Sequence, residues 1–238
     1  MSERSEPARA AESGEQSGSS EVWGVILAGG SAARYGAPKQ FLHLDGRPLI
    51  DWVLAAAASV TSNMIAVLPG GVEWELPPGV RRVDGGATRL DSARAALAVL
   101  HDRDDDAIVV IHDPAHPLAS ERLFIEVVDA VRAGADAAVP AVPMLEVTKV
   151  VDQHGWVVES QPKHGVMIAQ APQAFRLGAL RRAHVGAPAG VEDSELVERA
   201  GGRVRVVPGD WANIHVTLPD ELALAEAIVR GRKDIVDE

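Results

Sequence analysis

A glycine-rich stretch that contains one Arg and one Lys directly follows an apolar segment near the start of the chain, in the sequence VWGVILAGGSAARYGAPKQF. Successive backbone N–H groups in such a turn after a strand bind anions. Lysine is scarce, since Lys39 is one of only four lysines in the chain, with Lys149, Lys163 and Lys233. Because Arg34 lies beside Lys39 in the same turn, the stretch predicts a phosphate-binding loop rather than an ordinary tight turn.

Two well-known phosphate loops do not fit this stretch. The dinucleotide fingerprint needs the spacing G-x-G-x-x-G, which Gly29, Gly30 and Gly36 do not supply. The Walker loop needs Lys after Gly, whereas Lys39 follows Pro38. The stretch therefore matches neither of these loops, and its prediction as a phosphate site depends on Arg34 and Lys39.

Composition and charge narrow the class of protein further. With 238 residues, 47% of them apolar, the chain can bury a sizeable core, and the absence of cysteine excludes disulfides and thiolate metal sites. The net charge of −11 disfavours nucleic acid and anionic membranes as partners. Residues 1–20 are polar and are expected to form a disordered tail without a signal sequence. No apolar run approaches the ~18 residues of a membrane span, so we expect a cytoplasmic protein.

Apolar runs alternate with helical patterns along most of the chain. This alternation predicts a single α/β domain over residues 21–238, with a Rossmann-like, doubly wound, mostly parallel sheet covered by helices on both faces. Residues 144–160 depart from it and predict two short strands joined by a turn at 153–155, in a β-arm over about 144–170. Strands are predicted at 22–28, 63–69, 80–86, 106–113, 136–142, 203–209 and 213–217, and helices at 48–59, 88–101, 119–134, 176–184, 192–201 and 219–231.

Three segments with chemically useful residues follow predicted strands of this sheet. They are Gly29-Gly30, Gly85-Gly86 and His112-Asp113. Parallel sheets bind ligands at the carboxyl ends of their strands. We therefore expect the three segments to meet at one rim.

Six collinear segments resemble the 2-C-methyl-D-erythritol 4-phosphate cytidylyltransferases. The glycine-rich stretch is similar to that family's nucleotide loop, A-A-G-x-G-x-R-M/F-G…P-K-Q. The resemblance covers roughly residues 22–230. The other five segments are DGGATRLDSARAAL, VVIHDPAHPL, AVPAVPMLEVTKVVD, AQAPQAFRLGALRRAH and GDWANIHVTLPDELALAEAI.

The resemblance implies a reaction and a set of site residues. A phosphate oxygen of the acceptor attacks the α-phosphorus of CTP, and pyrophosphate leaves. Arg34 and Lys39 match the two catalytic cations, which would stabilise negative charge in the transition state. Asp113 would bind the expected cofactor, Mg²⁺, which prefers oxygen ligands. The nucleotide-binding positions implied are Leu27, Ala28, Gly29, Gly30, Gly86, Ala87, Ser92, Asp113 and Pro114.

The acceptor half of the chain departs from the family pattern. Six polar positions of the family are changed here, and most lose a charge or a hydroxyl. One lost hydrogen bond to a charged group costs ~1.5–3 kcal/mol, so 2-C-methyl-D-erythritol 4-phosphate is predicted to bind poorly, or another polyol phosphate is the acceptor. The six positions are His116, Val147, Lys163, Ala171, Val191 and His215, with Thr148 one residue after the family's threonine. In the nucleotide loop, Ala32 replaces the family's second glycine.

Other interpretations of these residues stay open. His116 and His215 are either neutral polar residues or cations beside a bound phosphate. A metal-dependent hydrolase built on His112, Asp113 and His116 is disfavoured, because successive strand residues point to opposite faces. Structural roles are favoured for Lys149, as a solvated strand residue, and for Arg89, as a residue that caps or pairs within its own helix.

Three functions follow, in order of preference. The first is transfer of CMP to 2-C-methyl-D-erythritol 4-phosphate in non-mevalonate isoprenoid synthesis. The second is the same transfer to another polyol phosphate, such as ribitol 5-phosphate. The third is a nucleotide-binding paralogue with little catalysis, and the presence of Arg34, Lys39 and Asp113 argues against it. The resemblance also implies a homodimer joined through the β-arm.

Overall fold

The computed structural model describes residues 20–30, 39–186, 188–190 and 192–236. Four predictions lie outside the described residues. They concern Ala32, Arg34, Val191 and the tail up to residue 19.

A 3-10 turn at Lys39–Phe41 precedes the second strand. In chain order the described strands and helices are β1 (Val22–Leu27), β2 (His43–Leu44), β3 (Arg47–Pro48), α1 (Leu49–Ala58), β4 (Asn63–Leu68), β5 (Val80–Asp84), α2 (Arg89–Val99), β6 (Ile108–His112), α3 (Glu121–Arg132), β7 (Ala137–Pro143), β8 (Thr148–Val151), β9 (Val157–Gln161), β10 (Met167–Ala169), β11 (Gln173–Arg176), α4 (Leu177–Ala183), α5 (Asp193–Arg199), β12 (Val204–Pro208) and α6 (Pro219–Val236).

The central sheet has the strand order β10-β7-β11-β6-β1-β4-β5, and β12 also pairs with β7. Strand β1 is parallel to both β4 and β6, β4 is parallel to β5, and β12 is parallel to β7. Strands β10 and β11 are the antiparallel members. The predicted mostly parallel sheet is therefore confirmed.

Helices cover both faces of this sheet. Ile26 of β1 packs in one apolar cluster with residues of α1 and α3, and its neighbours Val25 and Leu27 pack in another with residues of α2, α4 and α5. Successive strand residues point to opposite faces. Both faces of β1 are buried, which explains why its sequence is almost continuously apolar.

Two local predictions can be compared with the structure. The segment TRLDSARAALAVLH predicts a helix with Thr88 or Asp91 as its N-cap, and in the structure Thr88 is the N-cap of α2, with a capping box to Asp91. The strand predicted at 213–217 is wrong, because these residues join none of the sheet ladders. They lie instead against the loops that flank β6 and β11, where Val216 N donates to Ala115 O at 2.7 Å.

The β-arm consists of two antiparallel strands that form a sheet of their own. Thr148 pairs with Gln161, and Lys149 pairs with Ser160. The connecting turn contains Gly155 at φ 85°, a backbone conformation that favours glycine. Many apolar side chains of the β-arm are exposed, among them Val147, Val151, Trp156, Val157 and Val158.

None of the helices in the described part of the chain has the length and apolar character needed to cross a bilayer.

Candidate functional site

The first part of the site is the carboxyl end of β1. Ala28 N donates to Val67 O at 2.8 Å. This bond extends the parallel pairing of β1 with β4 by one residue beyond Leu27, the last residue of β1. Leu27 and Ala28 are buried, whereas Gly30 is exposed. The backbone therefore leaves the core and reaches the rim at the glycine pair.

The rim brings Gly29, Gly85, Gly86 and Ser92 into contact. A Cβ on Gly29 would lie 3.0 Å from Ser92 Oγ and 3.3 Å from Gly85 Cα. Gly85 N donates to Leu68 O at 2.7 Å, and Gly86 N donates to Ser92 Oγ at 3.2 Å. Glycine is required here because the two turns and the first turn of α2 approach too closely for larger side chains.

The N-terminus of α2 is fixed by its capping box. Thr88 Oγ1 accepts from Asp91 N at 3.1 Å, and Asp91 Oδ2 accepts from Thr88 N at 3.2 Å. Hydrogen bonds from Thr88 and Arg94 lower the pKa of Asp91. The exposed residues Gly86 and Ala87 lie just before this helix end, whose backbone N–H groups favour anions and polar acceptor groups.

Asp113 lies at the same rim, next to the end of β1. Ile26 pairs with His112, so Asp113 leaves the sheet beside Leu27. Asp113 Oδ1 accepts from Ala115 N at 2.8 Å, which fixes the carboxylate in the loop after β6. The carboxylate is half-buried, and Pro114 beside it is buried. Magnesium is commonly held by one or two carboxylates together with substrate phosphates, and a single fixed carboxylate beside the end of β1 fits that pattern.

His112 is part of the core. Its Nε2 lies 3.1 Å from His116 O, and its ring packs edge-on against Phe124 at 5.1 Å between centroids. Burial lowers the pKa of His112 to about 3, so the ring is neutral and Nε2–H donates to the carbonyl. Among the described residues no three His, Asp or Glu side chains are grouped to hold a metal ion. These residues give the metal-dependent hydrolase no support.

Three of the predicted acceptor positions lie together at the neighbouring part of the rim. The rings of His116 and His215 are 4.9 Å apart at an interplanar angle of 37°. His116 Nδ1 lies 3.2 Å from Asn213 O, and Asn213 Nδ2 donates to Ala171 O at 2.7 Å. His116, Ala171 and His215 are thus joined around one backbone segment. We call these three residues the rim cluster.

Two buried amides that the sequence did not single out support the rim cluster. Gln170 Nε2 donates to Asp210 O at 2.8 Å and to Asn213 O at 3.1 Å, and Gln170 Oε1 accepts from Asp210 N at 3.0 Å. Gln170 and Asn213 are both buried. The sequence signal that could have identified them is an amide side chain within a largely apolar segment. Gln170 lies in AQAPQAF and Asn213 in ANIHVT.

The other predicted acceptor positions lie on the β-arm. Val147 and Lys163 are exposed, and Thr148 begins β8. Lys163 Nζ donates to Leu145 O at 3.0 Å, and Lys149 Nζ donates to Ser160 Oγ at 2.6 Å, so both contacts stay within the arm. These predicted acceptor positions therefore lie on a different part of the structure from the rim cluster.

The two predicted catalytic cations are only partly described. Arg34 lies outside the described residues, and for Lys39 the structure describes the backbone but not the side chain. The next residue, Gln40, is buried, and its Nε2 donates to Gly30 O at 3.3 Å. This bond holds Gln40, the residue next to Lys39, close to the glycine pair.

Arg89 has a partner different from the predicted one. Its Nη1 lies 2.5 Å from Asp193 Oδ2, so Arg89 pairs with the first residue of α5 rather than within its own helix. The prediction of a structural role within α2 is corrected to a contact between two helices.

Comparison with known proteins identifies the molecules that this chain is similar to. The family model described as 2-C-methyl-D-erythritol 4-phosphate cytidylyltransferase matches residues 22–231. The protein of that name from Rubrobacter xylanophilus is 41% identical over 88% of this chain and 95% of its own. The one from Chromobacterium violaceum is 36% identical over 88% of this chain and 98% of its own.

A solved structure gives the same result for the fold. The crystal structure of 2-C-methyl-D-erythritol 4-phosphate cytidylyltransferase from Thermus thermophilus matches with a TM-score of 0.76 at 31% identity. The match covers 88% of this chain and 99% of the Thermus chain.

Proposed function

The chain belongs to the 2-C-methyl-D-erythritol 4-phosphate cytidylyltransferase family, and on that premise we propose that it transfers CMP from CTP to this acceptor in isoprenoid synthesis. An oxygen of the acceptor phosphate bonds to the α-phosphorus of CTP, the bond from that phosphorus to the β-phosphate oxygen breaks, and pyrophosphate leaves. The observation that carries the proposal is the rim where Gly29, Gly85, Gly86 and Ser92 meet inside the matched region.

The nucleotide half of the site uses backbone more than side chains. We propose that residues 27–30 lie against the nucleotide, and that Gly86, Ala87 and Ser92 recognise the edge of the cytosine. The close approach of Gly29 to Ser92 and the capping box of α2 support this assignment, because both hold polar backbone groups at fixed positions.

The charges of the site would stabilise the transition state. Arg34 and Lys39 are the proposed cations, and each suits a different contact, since Arg offers a planar guanidinium and Lys a compact ammonium. Asp113 is the residue that would hold Mg²⁺, and the ion would there neutralise negative charge on the phosphates. The fixed Asp113 carboxylate at the rim supports that role.

A different acceptor is a second candidate that the rim cluster favours. Two imidazoles, His116 and His215, stand where the family pattern has longer cationic side chains, and Ala171 has no hydroxyl. Imidazoles are shorter and only partly charged near neutral pH. A polyol phosphate of different length, such as ribitol 5-phosphate, is therefore the alternative acceptor.

We also propose a homodimer joined through the β-arm, which would bring the arm positions of one subunit to the rim cluster of the other. The exposed apolar residues of the arm support this, because a two-stranded hairpin is marginal in water without a surface to pack on. They are Leu145, Val147, Val150, Val151, Trp156, Val157 and Val158, and Met167 and Ile168 of β10, the central-sheet strand that follows the arm, are exposed as well. The cytoplasmic location stays a prediction.

The experiment is a pyrophosphate-release assay with CTP, Mg²⁺ and each candidate acceptor. We expect Arg34→Ala and Lys39→Ala to lower kcat by about 10²-fold or more, because each removes a fixed charge at the reacting phosphate. Arg205→Ala, an exposed arginine on β12, is the control and should leave kcat unchanged. CTP binding without pyrophosphate release for every acceptor would contradict the proposed transfer and favour a nucleotide-binding paralogue.

The same assay compares the acceptors directly. A Michaelis constant for 2-C-methyl-D-erythritol 4-phosphate in the micromolar range would contradict the prediction of weak acceptor binding. A higher kcat/KM for ribitol 5-phosphate would identify the alternative acceptor.

A further inference from the structure

A buried carboxylate joins three elements next to the nucleotide rim. Asp193, the first residue of α5, is fully buried. Its Oδ2 lies 2.5 Å from Arg89 Nη1, and its Oδ1 lies 2.9 Å from Nε2 of the buried His184 at the end of α4. Each oxygen of the carboxylate therefore has a partner, as a charge removed from water requires.

The charge state of this group follows from its contacts. Burial raises the pKa of Asp193, but the hydrogen bond from His184 and the charge and hydrogen bond of Arg89 outweigh burial and leave the pKa below its usual value. Asp193 is therefore an anion at neutral pH. Removing one partner of such a buried pair leaves an uncompensated charge, and the surrounding elements then move or rehydrate.

One end of this contact is attached to the nucleotide half of the site. Arg89 is the first residue of α2 and directly follows Thr88, the N-cap. The turn before it carries Gly86 and Ala87, and Ser92 lies one turn further along the same helix. A second arginine of α2 also reaches the segment before α5, since Arg94 Nη2 donates to Pro188 O at 2.7 Å.

The other end is attached to the acceptor half. Glu192, the residue before Asp193, accepts from Gln173 Nε2 at 3.0 Å and from Ser194 Oγ at 2.7 Å. Gln173 is buried in β11, where it pairs with Ile111 of β6. It lies two residues from Ala171 of the rim cluster.

We infer that Asp193 is a positioning residue for the transfer reaction, which through Arg89 fixes the cytosine-binding end of α2 relative to the acceptor-side segment at Glu192 and Gln173. The inference rests on the proposed function. It assigns no contact between Asp193 and either substrate, because the carboxylate is fully buried.

The matched control is a second Arg–Asp pair that also joins distant segments. Arg176 Nη1 lies 2.8 Å from Asp106, at the amino end of β6 and away from the rim. The exposed fractions of the two arginine side chains are similar, 28% for Arg176 and 33% for Arg89. The carboxylates differ, since Asp106 is 78% exposed and Asp193 is fully buried. Arg176→Gln thus removes an Arg–Asp pair between distant segments without touching the site, and the carboxylate that it leaves unpaired stays in water.

The experiment compares Arg89→Gln, Arg89→Lys and Asp193→Asn with Arg176→Gln and the natural chain. Three quantities are measured, namely the Kd for CTP by calorimetry, the KM and kcat of the transfer, and amide hydrogen exchange over 85–92. Because Arg89 is partly exposed, its variants test the inference even where Asp193→Asn fails to fold.

The expected result is a loss that thermal stability does not explain. Small misplacements of binding groups cost up to about 100-fold, so we expect Arg89→Gln to raise the Kd and KM for CTP by about 10- to 100-fold and to speed exchange over 85–92. Arg89→Lys, which keeps the charge, should recover part of the affinity. Arg176→Gln should change the Kd by less than about 2-fold and lower Tm less, because its partner Asp106 is exposed. The Kd is therefore measured well below the Tm of every variant.

Two results separate the inference from the proposed function. If Arg89→Gln and Asp193→Asn bind CTP as tightly as Arg176→Gln does, the positioning role is overturned, whatever the chain catalyses. If the natural chain binds CTP but releases no pyrophosphate, the proposed transfer fails, and the Kd and exchange data still decide the positioning role.

Discussion

The proposed nucleotide half and the proposed acceptor half of this site are built in different ways. In the nucleotide half, Gly29, Gly85 and Gly86 approach Ser92 and Asp91 so closely that an added Cβ would lie 2.3–3.0 Å from a neighbouring atom. In the acceptor half, the rim cluster is held by side-chain contacts to backbone, such as that from Asn213 to Ala171 O. The remaining described acceptor positions lie on the exposed β-arm.

This difference explains where the sequence follows its family and where it departs. A site made of closely packed backbone accepts few substitutions, because any side chain displaces the chain itself. A site made of side chains that several elements contribute can change its ligand by exchanging those side chains. The predicted acceptor positions that the structure describes fall in the second kind of site, and the glycine pairs of the first kind are present.

The largest expected effect tests the nucleotide half through its proposed metal ligand. Asp113→Asn keeps the shape of the side chain but removes the charge, and metal stabilisation of phosphate charge is worth several kcal/mol. We expect kcat to fall by about 100-fold or more and the Mg²⁺ concentration for half-maximal rate to rise. Asp129→Asn, an exposed carboxylate of α3 that pairs with Arg132, is the control. Unchanged magnesium dependence would assign the metal to other ligands.

The next effect tests whether close backbone approach limits the nucleotide half. A Cβ on Gly86 would lie 2.3 Å from Asp91 Cβ and 3.0 Å from the backbone carbon of Asp91. Gly86→Ala should therefore shift the turn and weaken CTP binding by about 10-fold or more. Gly231→Ala, with no atom within 4 Å of the added Cβ, should not weaken binding. Calorimetry with CTP measures both, and equal affinities would show that the turn accommodates the methyl group.

A third prediction tests whether the acceptor half is completed by a second subunit. Val158 is 63% exposed on β9, and Val158→Asp should prevent a hydrophobic contact between arms. We expect light scattering to show a dimer for the natural chain and a monomer for the variant, with a higher KM for the acceptor and a smaller change for CTP. Glu159→Gln, the next residue, is the control. A natural chain that is monomeric at micromolar concentration would end the dimer proposal.

The smallest effect concerns the segment that carries His215. Glu221 Oε2 accepts from Thr217 N at 2.5 Å, Thr217 Oγ1 at 2.8 Å and Leu218 N at 2.7 Å, at the start of α6. Glutamine keeps an acceptor oxygen but loses the charge, which weakens these bonds by at most the ~1 kcal/mol that a helix N-terminal cap contributes. Glu221→Gln should therefore lower Tm by a few degrees at neutral pH.

The pH dependence of the stability of that variant shows whether the negative charge of Glu221 stabilises the folded state. Burial raises the pKa of Glu221, but its hydrogen bonds from Thr217 and Leu218 and the charge of His215 lower it overall. The folded state therefore binds its proton at lower pH than the unfolded state, so the stabilisation is present above the unfolded pKa and is lost as pH falls through the folded value. The difference in Tm between Glu221→Gln and the natural chain should shrink on acidification. A constant difference would show that the carboxylate charge does not contribute.

The sequence by itself determined the sheet and the glycine-lined part of the site. Continuous apolar runs such as VWGVIL specify strands buried on both faces, and the spacing between them leaves room for helices that require parallel pairing. Both a buried strand and the glycine turn after it can be predicted from neighbouring residues. A glycine pair after such a strand therefore predicts which residues lie at the rim of the sheet. For the same reason Thr88, followed by Asp91, could be predicted as a helix N-cap.

The tertiary structure alone decided the contacts between segments that are distant in sequence. Arg89 and Asp193 are 104 residues apart, and nothing local distinguishes Arg89 from a residue that pairs within its own helix. Strand β11 is inserted antiparallel between β6 and β7, and residues 213–217 lie outside the sheet although their pattern predicted a strand. Strand formation depends on an available neighbouring edge, and buried charges depend on partners from other elements, so neither is encoded in one stretch of residues.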